Sequence, residues 1–114
     1  MRDLTWMGSS LEDLSAFPAD VKRAFGFALR EAQKGVTPKQ ARPLKQFGTG
    51  VFELREPFEG DAFRAVYAVK LERAVYVLHA FKKKSKSGIA MPREDIALIE
   101  QRFKRAQGID RAKE

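Results

Sequence analysis

Residues 74–81 read Ala-Val-Tyr-Val-Leu-His-Ala-Phe, a stretch that is apolar at nearly every position. A strand with one face in water alternates apolar and polar residues, so an almost continuous apolar run indicates a strand that is covered on both faces. We therefore predict a strand over residues 74–82 with both faces largely buried.

The segments just before this strand change to a period of two residues. Strands are predicted over 51–56 and 62–70, and they are separated from each other by Glu59-Gly60-Asp61. Leu71-Glu72-Arg73 separates the second of them from the apolar strand. Connections this short are typical of hairpins, so the three strands should be antiparallel neighbours.

Residues 18–35 carry the clearest helical pattern in the chain. Pro18 suits the first turn of a helix and Gly35 suits its end. The apolar positions recur with the spacing of a core-facing stripe: Val21, Ala24, Phe25, Ala28, Leu29 and Ala32. Phe27 falls outside this stripe and is a candidate anchor for a partner protein.

The two ends of the chain supply the remaining elements. Residues 3–7 are a candidate first strand, and Ser9-Ser10-Leu11-Glu12 matches a capping box that opens a short helix ending near Ala16. A last helix is opened by Pro92 and ended by Gly108, and residues 36–50 are a connector. The predicted order is β-α-α-β-β-β-α, an α+β single domain over residues 1–114 with the helices packed on an antiparallel-rich sheet.

The composition excludes several kinds of chemistry. The 114 residues include no cysteine and one histidine, His79, which rules out disulfides, thiolate nucleophiles and multi-histidine metal sites within the chain. No cofactor is expected. No apolar run approaches the ~20 residues of a spanning helix, and the N-terminus lacks the features of a signal peptide. We expect a soluble cytoplasmic protein without a membrane partner.

Positive charge is concentrated in the second half of the chain. The net charge is +7, with nine basic and eight acidic residues before residue 61 and thirteen and seven from there on. The densest cluster is Lys82-Lys83-Lys84-Ser85-Lys86. Such a cluster favours a polyanionic partner, because lysines near phosphates release condensed counterions. A surface of solubilising lysines is the alternative interpretation.

Four blocks of sequence resemble the RelE/ParE superfamily of type II toxins, in particular its HigB-like, phage-derived branch. The blocks are Arg42–Lys45, Val51–Glu56, Phe63–Tyr67 and Val77–Ser85, and the resemblance spans about residues 3–106. It implies a small endoribonuclease, an mRNA interferase, that enters the ribosomal A site, cleaves mRNA and is silenced by a cognate antitoxin. The resemblance also implies a helix-turn-helix antitoxin encoded in the adjacent gene.

Metal-independent RNA cleavage uses the ribose 2′-OH as nucleophile and needs cations around the phosphorane, a base and an acid. Arg64 is the first candidate for the phosphate, because its planar fork can bind two oxygens and it matches the strand arginine of the family. The alternative is an exposed arginine paired with Glu53 or Glu72. Arg55 is a second candidate, with a surface ion pair as its alternative.

The acid–base assignment stays open in the sequence. Glu53 is a candidate base, with an ordinary solvated carboxylate as the alternative. His79 has the only side chain that titrates near neutral pH, but its assignment to the face of Val75, Val77 and Phe81 favours a hydrogen-bonded core residue. Tyr67 is a candidate for stacking on a base, with core packing as the alternative.

The lysine cluster supplies further candidates. Alternation along the last strand sends Lys83 to one face and Lys82 and Lys84 to the other, so at least one of them should point into a cleft bordered by Arg64. Lys83 and Lys84 are candidates for the catalytic site, and Lys82 and Lys86 for the RNA backbone. A basic edge that only grips ribosomal RNA is the alternative.

Three functions therefore follow from the sequence. The first is a ribosome-dependent mRNA endonuclease. The second is a non-enzymatic toxin of the ParE type that binds DNA gyrase. The third is a plain nucleic-acid-binding module. The basic second half and the Val77–Ser85 block resemble the nuclease branch most closely.

Overall fold

The chain folds into one five-stranded sheet with helices on both of its faces. The computed structural model describes residues 1–69, 71, 73–84 and 91–112. In chain order the elements are β1 (Asp3–Trp6), α1 (Ser10–Ser15), α2 (Ala19–Gln33), β2 (Ala41–Pro43), one 3-10 turn (Lys45–Phe47), β3 (Val51–Phe58), β4 (Asp61–Ala68), β5 (Ala74–Lys84) and α3 (Arg93–Ala112).

The strands lie in the order β1-β5-β4-β3-β2. β1 is parallel to β5, and the other neighbours are antiparallel, which confirms the predicted antiparallel trio β3, β4 and β5. Val75 and Val77 of β5 pack toward α2, whereas Tyr76 and Leu78 pack toward α3. Both faces of β5 are therefore covered, as its apolar sequence predicts.

The hairpin between β3 and β4 closes through two residues. Glu59 has a φ of 49° and Gly60 a φ of 84°. Two successive positive φ values are typical of the tight turns that match the twist of paired strands. The predicted turn at residues 59–61 is confirmed, although Asp61 already belongs to β4.

The predicted connector over residues 36–50 is wrong in part, because it contains β2 and the 3-10 turn. β2 pairs with β3, and its Ala41, Arg42 and Pro43 lie opposite Leu54, Glu53 and Phe52. Three residues are too few for a period of two to be recognised. A proline is tolerated in β2 because β2 is an edge strand, and the backbone N–H groups on its outer side have no neighbouring strand to bind.

Two predicted details of the helix ends are also wrong. α3 runs past Gly108 to Ala112, since Ala106 and Asp110 on both sides of the glycine are buried against the sheet. At α1 the Ser9 hydroxyl makes no capping bond to the backbone; it donates to the Asp13 carboxylate at 2.8 Å. The carboxylate of Asp13 competes successfully for this hydroxyl.

A β-bulge in β5 changes which side chains face which helix. Val66 lies opposite His79, whereas the next residue, Tyr67, lies opposite Val77, so Leu78 is an extra residue in β5. After the bulge the alternation is shifted by one position. His79 consequently faces α3 together with Phe81, and its predicted place on the face of Val75 and Val77 is wrong.

The dimensions are those of a single domain. The radius of gyration is 13.3 Å, which is the value expected for a compact chain of this length. Among the described residues, no helix combines the length and apolarity that crossing a lipid bilayer requires.

Candidate active site

A pocket of about 450 Å³ opens on the α3 side of the sheet, between β2 and the first turn of α3. Three strands contribute its polar wall, and residues around the start of α3 contribute its apolar wall. Its lining residues are Arg42, Pro43, Leu44, Gln46, Glu53, Arg55, Arg64, Met91 and Ile96.

Strand register brings the charged residues of this pocket together. Arg55 of β3 lies directly opposite Arg64 of β4, and Arg42 of β2 lies directly opposite Glu53 of β3. Residues two apart on a strand share a face, so Glu53 and Arg55 point to the same side. Rigid strands therefore fix four charges on one small patch of the sheet.

Arg64 and Glu53 form a buried ion pair. The Arg64 Nη1 atom donates to Glu53 Oε2 at 3.0 Å, and each side chain is only 5% exposed. The pairing of Arg64 with Glu53 is one of the sequence alternatives, but the arginine is buried and not exposed. The pair lines the pocket, so it does not remove Arg64 from the candidate site.

Lys83 adds a second buried cation from β5. It lies opposite Ala62, on the face of the sheet that carries Arg64, and it is 5% exposed. Burial is the main cause that lowers the pKa of Lys83; the charges of Arg64 and Arg55 lower it further, and Glu53 acts in the opposite direction. Lys82 and Lys83 lie on opposite faces of the sheet, as alternation along the strand predicts, and Lys83 shares its face with Arg64.

Arg55, Arg64 and Lys83 form a cluster of basic residues around Glu53, and each has a hydrogen-bond donor without a partner among the described residues. These donors are Arg55 Nε, Arg64 Nε and Lys83 Nζ, and all three atoms are buried. Buried donors are almost always hydrogen-bonded in proteins, and a group that is not paired within the chain usually meets water or an ion. The pocket is lined by three arginines, Arg42, Arg55 and Arg64, and by one carboxylate, Glu53, which leaves a local excess of two positive charges. Lys83 adds its charge nearby, so the pocket is suited to an anion.

Tyr67 does not line this pocket. It is 1% exposed, lies in the core on the opposite face of the sheet and stacks on Phe52, with ring centroids 5.7 Å apart. Burial, with a smaller contribution from the Glu31 charge, raises the pKa of its phenol. The structure thus favours the core-packing alternative over stacking on a base.

The other lysines of the cluster are placed differently from Lys83. Lys82 is half exposed on the opposite face, where its ammonium lies 3.6 Å from the Asp61 carboxylate. The backbone of Lys84 ends β5, but the position of its side chain lies outside what the structure describes, as does the whole of Lys86. Their predicted roles stay predictions.

His79 lies beneath α3 and not in the pocket wall. Its Nε2 lies 2.6 Å from Asp95 Oδ1, its Nδ1 lies 3.4 Å from Arg102 Nη1, and its ring stacks on Phe81 at 4.8 Å. The histidine is 6% exposed. These contacts fasten α3 to β5, which agrees with the expected hydrogen-bonded core residue and leaves a catalytic role for His79 without structural support.

Sequence reasoning missed Arg42, Gln46 and Ile96 as pocket residues. Arg42 was part of a recognised block, but without β2 there was no reason to place it beside Glu53. Ile96 lies on the apolar face of α3, which packs on the sheet. The pattern gave no indication that this face also closes a polar pocket.

Fold and pocket together define a small basic α+β protein with an arginine-lined pocket on its sheet. A family model described as phage derived protein Gp49-like (DUF891) matches residues 12–104, and the chain belongs to this family. The family is phage-derived and toxin-like, and it is related to the RelE/HigB-like toxins of toxin–antitoxin systems. No curated protein matches the chain significantly.

Proposed function

We propose that this protein is the toxin of a type II toxin–antitoxin system and acts as a ribosome-dependent, metal-independent mRNA endonuclease. The observation that carries the proposal is the cluster of Arg55, Arg64 and Lys83 around Glu53, in which three buried nitrogen atoms have no partner among the described residues. A phosphodiester is the anion that such a cluster suits, because arginine forks bind pairs of phosphate oxygens.

The proposed reaction needs no group that the chain lacks. The ribose 2′-oxygen attacks the adjacent phosphorus, the bond from phosphorus to the 5′-oxygen breaks, and a 2′,3′-cyclic phosphate and a 5′-OH result. Arg64 and Arg55 would bind the non-bridging oxygens, on which charge develops in the transition state. Such positioned donors are typically worth about 10²–10³ in rate each.

Two groups of the cluster can exchange a proton. Glu53 is held close to Arg64 and is a candidate to accept the 2′ proton. Lys83 has a lowered pKa, so a neutral amine is reached at a lower pH than for an ordinary lysine. One of them would take the 2′ proton, and the 5′-oxygen would receive its proton from the other or from water.

The ribosome would supply the substrate geometry that the pocket alone does not. The pocket residues would bind one phosphate, whereas an in-line attack also requires the 2′-oxygen, the phosphorus and the 5′-oxygen to be aligned. The basic second half of the chain provides charge for ribosomal RNA around the pocket.

Induced expression tests this proposal. We expect growth arrest, with primer extension showing cuts inside translated messages and little cleavage of the same RNA without ribosomes. Rapid cleavage of ribosome-free RNA would contradict the ribosome dependence. Arrest without any cuts in mRNA would contradict the nuclease and favour a toxin that binds gyrase, and normal growth would favour a plain nucleic-acid-binding module.

A further inference from the structure

Phe27 is the most exposed aromatic residue recorded in the structure, at 69% exposure, and it lies on the outer face of α2. The other large apolar residues of that helix, Val21, Phe25 and Leu29, are buried against the sheet. α2 covers one face of the sheet and the cationic pocket opens on the other. Phe27 therefore has no part in the proposed reaction.

Four charged residues form a stripe with Phe27. At 100° per residue, Asp20, Arg23, Phe27, Glu31 and the C-cap residue Lys34 fall within a sector of about 80°. Glu31 is half-buried at the edge of this sector that is nearest the core, and the other four residues are exposed. Asp20 and Arg23 are 73% and 77% exposed, and they pair with each other at 3.1 Å. We call these five residues the α2 stripe.

The α2 stripe is complementary to itself in one orientation. When two copies of α2 pack antiparallel about a two-fold axis at Phe27, residue 20 of one copy meets residue 34 of the other, and residue 23 meets residue 31. Asp20 then faces Lys34, Arg23 faces Glu31, and the two Phe27 rings meet on the axis. A parallel arrangement would instead place each residue beside the same residue of the other copy, so that like charges would meet.

The surroundings of Phe27 permit close approach. Its neighbour Gly26 has no side chain, and a Cβ atom built there would have no atom within 4 Å. A two-fold contact uses the same patch on both copies, so each ion pair occurs twice. The pairs Asp20–Lys34 and Arg23–Glu31 therefore give four ion pairs across the interface. They flank the contact between the two Phe27 rings, which are exposed to water in the monomer.

We propose that this protein forms a weak two-fold dimer through antiparallel contact of its α2 stripes, centred on Phe27. One helix face per copy buries less area than a permanent interface does, so the dimer should dissociate at roughly 10–1000 µM. Both pockets face away from the contact, because α2 and the pocket lie on opposite faces of the sheet. Dimer formation therefore leaves both pockets open.

Cysteine cross-linking tests the register, since the natural chain has no cysteine. We expect Phe27→Cys to form a disulfide-linked dimer readily. Asp20→Cys alone should not, because the two copies of residue 20 would be about 21 Å apart along the helices. Mixing Asp20→Cys with Lys34→Cys should give the mixed dimer. Lys104→Cys, an exposed site on α3, measures cross-linking by random collision.

Sedimentation equilibrium tests the energetics without a cross-link. Phe27→Asp and Arg23→Glu should each weaken dimerisation at least tenfold. Arg23→Glu combined with Glu31→Arg should restore it, since this exchange rebuilds the same pairs with reversed sign. Circular dichroism checks that each variant folds, which is expected because Phe27 and Arg23 are exposed and Glu31 is only half-buried.

Three results would overturn the proposal. The first is a wild-type protein that remains monomeric at 1 mM. The second is cross-linking of Lys104→Cys or of Asp20→Cys alone as fast as that of Phe27→Cys. The third is a protein that is monomeric and whose Phe27→Asp variant no longer binds the product of the neighbouring gene. In that case α2 would bind an antitoxin and not a second copy of the chain.

Discussion

The ion pair between Arg64 and Glu53 serves both the fold and the proposed chemistry. A buried carboxylate without a cation is costly, so the ion pair with Arg64 stabilises Glu53 in the sheet. Arg64 uses one nitrogen for Glu53 and keeps a buried Nε without a partner in the described part of the chain. The arginine is thus fixed in place and still has a donor for a phosphate.

Arg64→Lys should lower the rate of mRNA cleavage about 10²-fold while the domain stays folded. Lysine keeps the positive charge that Glu53 needs but cannot bind two oxygens with one planar group. Arg64→Ala is less informative, because an unpaired buried Glu53 would cost about 3–5 kcal/mol. Arg105→Ala, an exposed cation on α3, is the matched control and should retain full toxicity.

Lys83→Met should stabilise the protein and abolish its activity. Methionine replaces a buried ammonium that has no partner in the described residues, so the free energy of unfolding should rise by about 1–2 kcal/mol. Thermal unfolding would show this as a midpoint raised by about 5 °C. A variant that is as active as wild type would remove Lys83 from the site.

The pH dependence of that gain follows from the direction of the pKa shift. The folded-state pKa of Lys83 lies below its ordinary value of 10.5, so between these two values the unfolded chain binds more protons. In that window the wild type becomes more stable as pH rises. The advantage of Lys83→Met should therefore be largest at neutral pH and shrink toward pH 10. An advantage that does not change with pH would contradict burial of a charged Lys83.

α3 closes the pocket with one end and anchors itself with the other. Its first turns bring Ile96 to the pocket wall and bind His79 through Asp95. Near its C-terminus, Asp110 accepts hydrogen bonds from the Tyr76 hydroxyl at 3.0 Å and from the Arg73 backbone N–H at 2.9 Å. The helix is therefore held to β5 at two places far apart along its axis.

Tyr76→Phe should cost about 1–2 kcal/mol, because it removes the buried hydrogen bond to Asp110. Burial, the bond to Asp110 and the charge of Asp110 together raise the pKa of Tyr76 to about 12. The stabilising effect is fully present below the unfolded value of 10 and is lost as pH rises from 10 toward 12. Guanidinium denaturation at pH 7 and pH 11 should show a smaller difference between the two proteins at pH 11.

Long elements with clear periodicity are the ones that the sequence predicts well. α2 and the three antiparallel strands depend on local patterns that tertiary packing reinforces. β2 is set by its pairing with β3, and the bulge at Leu78 by its pairing with β4, so neither has a local signal. α3 continues through Gly108 because long-range burial outweighs a helix propensity loss of about 1 kcal/mol.

In the candidate site too, features that depend on a local sequence pattern were predictable, and features set by contacts between distant elements were not. The placement of Lys82 and Lys83 on opposite sides of the sheet was predictable, because alternation near the end of one strand is local. The position of His79 was not, because the bulge separates it from the earlier part of β5. Arg42 and Ile96 reach the pocket through contacts between elements far apart in sequence. Such contacts leave no trace in the pattern of a single segment.

The charge distribution of the protein suggests how it is kept inactive. We propose that an antitoxin encoded beside this gene covers the pocket with an acidic segment, because a net charge of +7 and a cationic pocket attract such a segment from a distance. Co-expression with the neighbouring gene should restore growth, and the two chains should purify together.

Salt should slow the formation of this complex. Raising the salt from 50 to 500 mM screens the long-range attraction and should reduce the association rate on the order of tenfold. Arg105→Ala provides a control for loss of one surface charge outside the pocket. Two chains that never purify together, with growth still arrested, would contradict the toxin–antitoxin proposal.

The bulge at Leu78 divides β5 into a first part that forms the apolar core and a second part that lies beside the candidate site. Residues before the bulge pack in the two apolar layers, and residues after it place Phe81 and Lys83 on the α3 side of the sheet, where the pocket opens. A gain or loss of one residue within the bulge would exchange the sides of every later position, so Lys83 would turn from the α3 side to the α2 side of the sheet. The position of the proposed catalytic lysine thus depends on an extra residue, Leu78, that contributes no polar side chain.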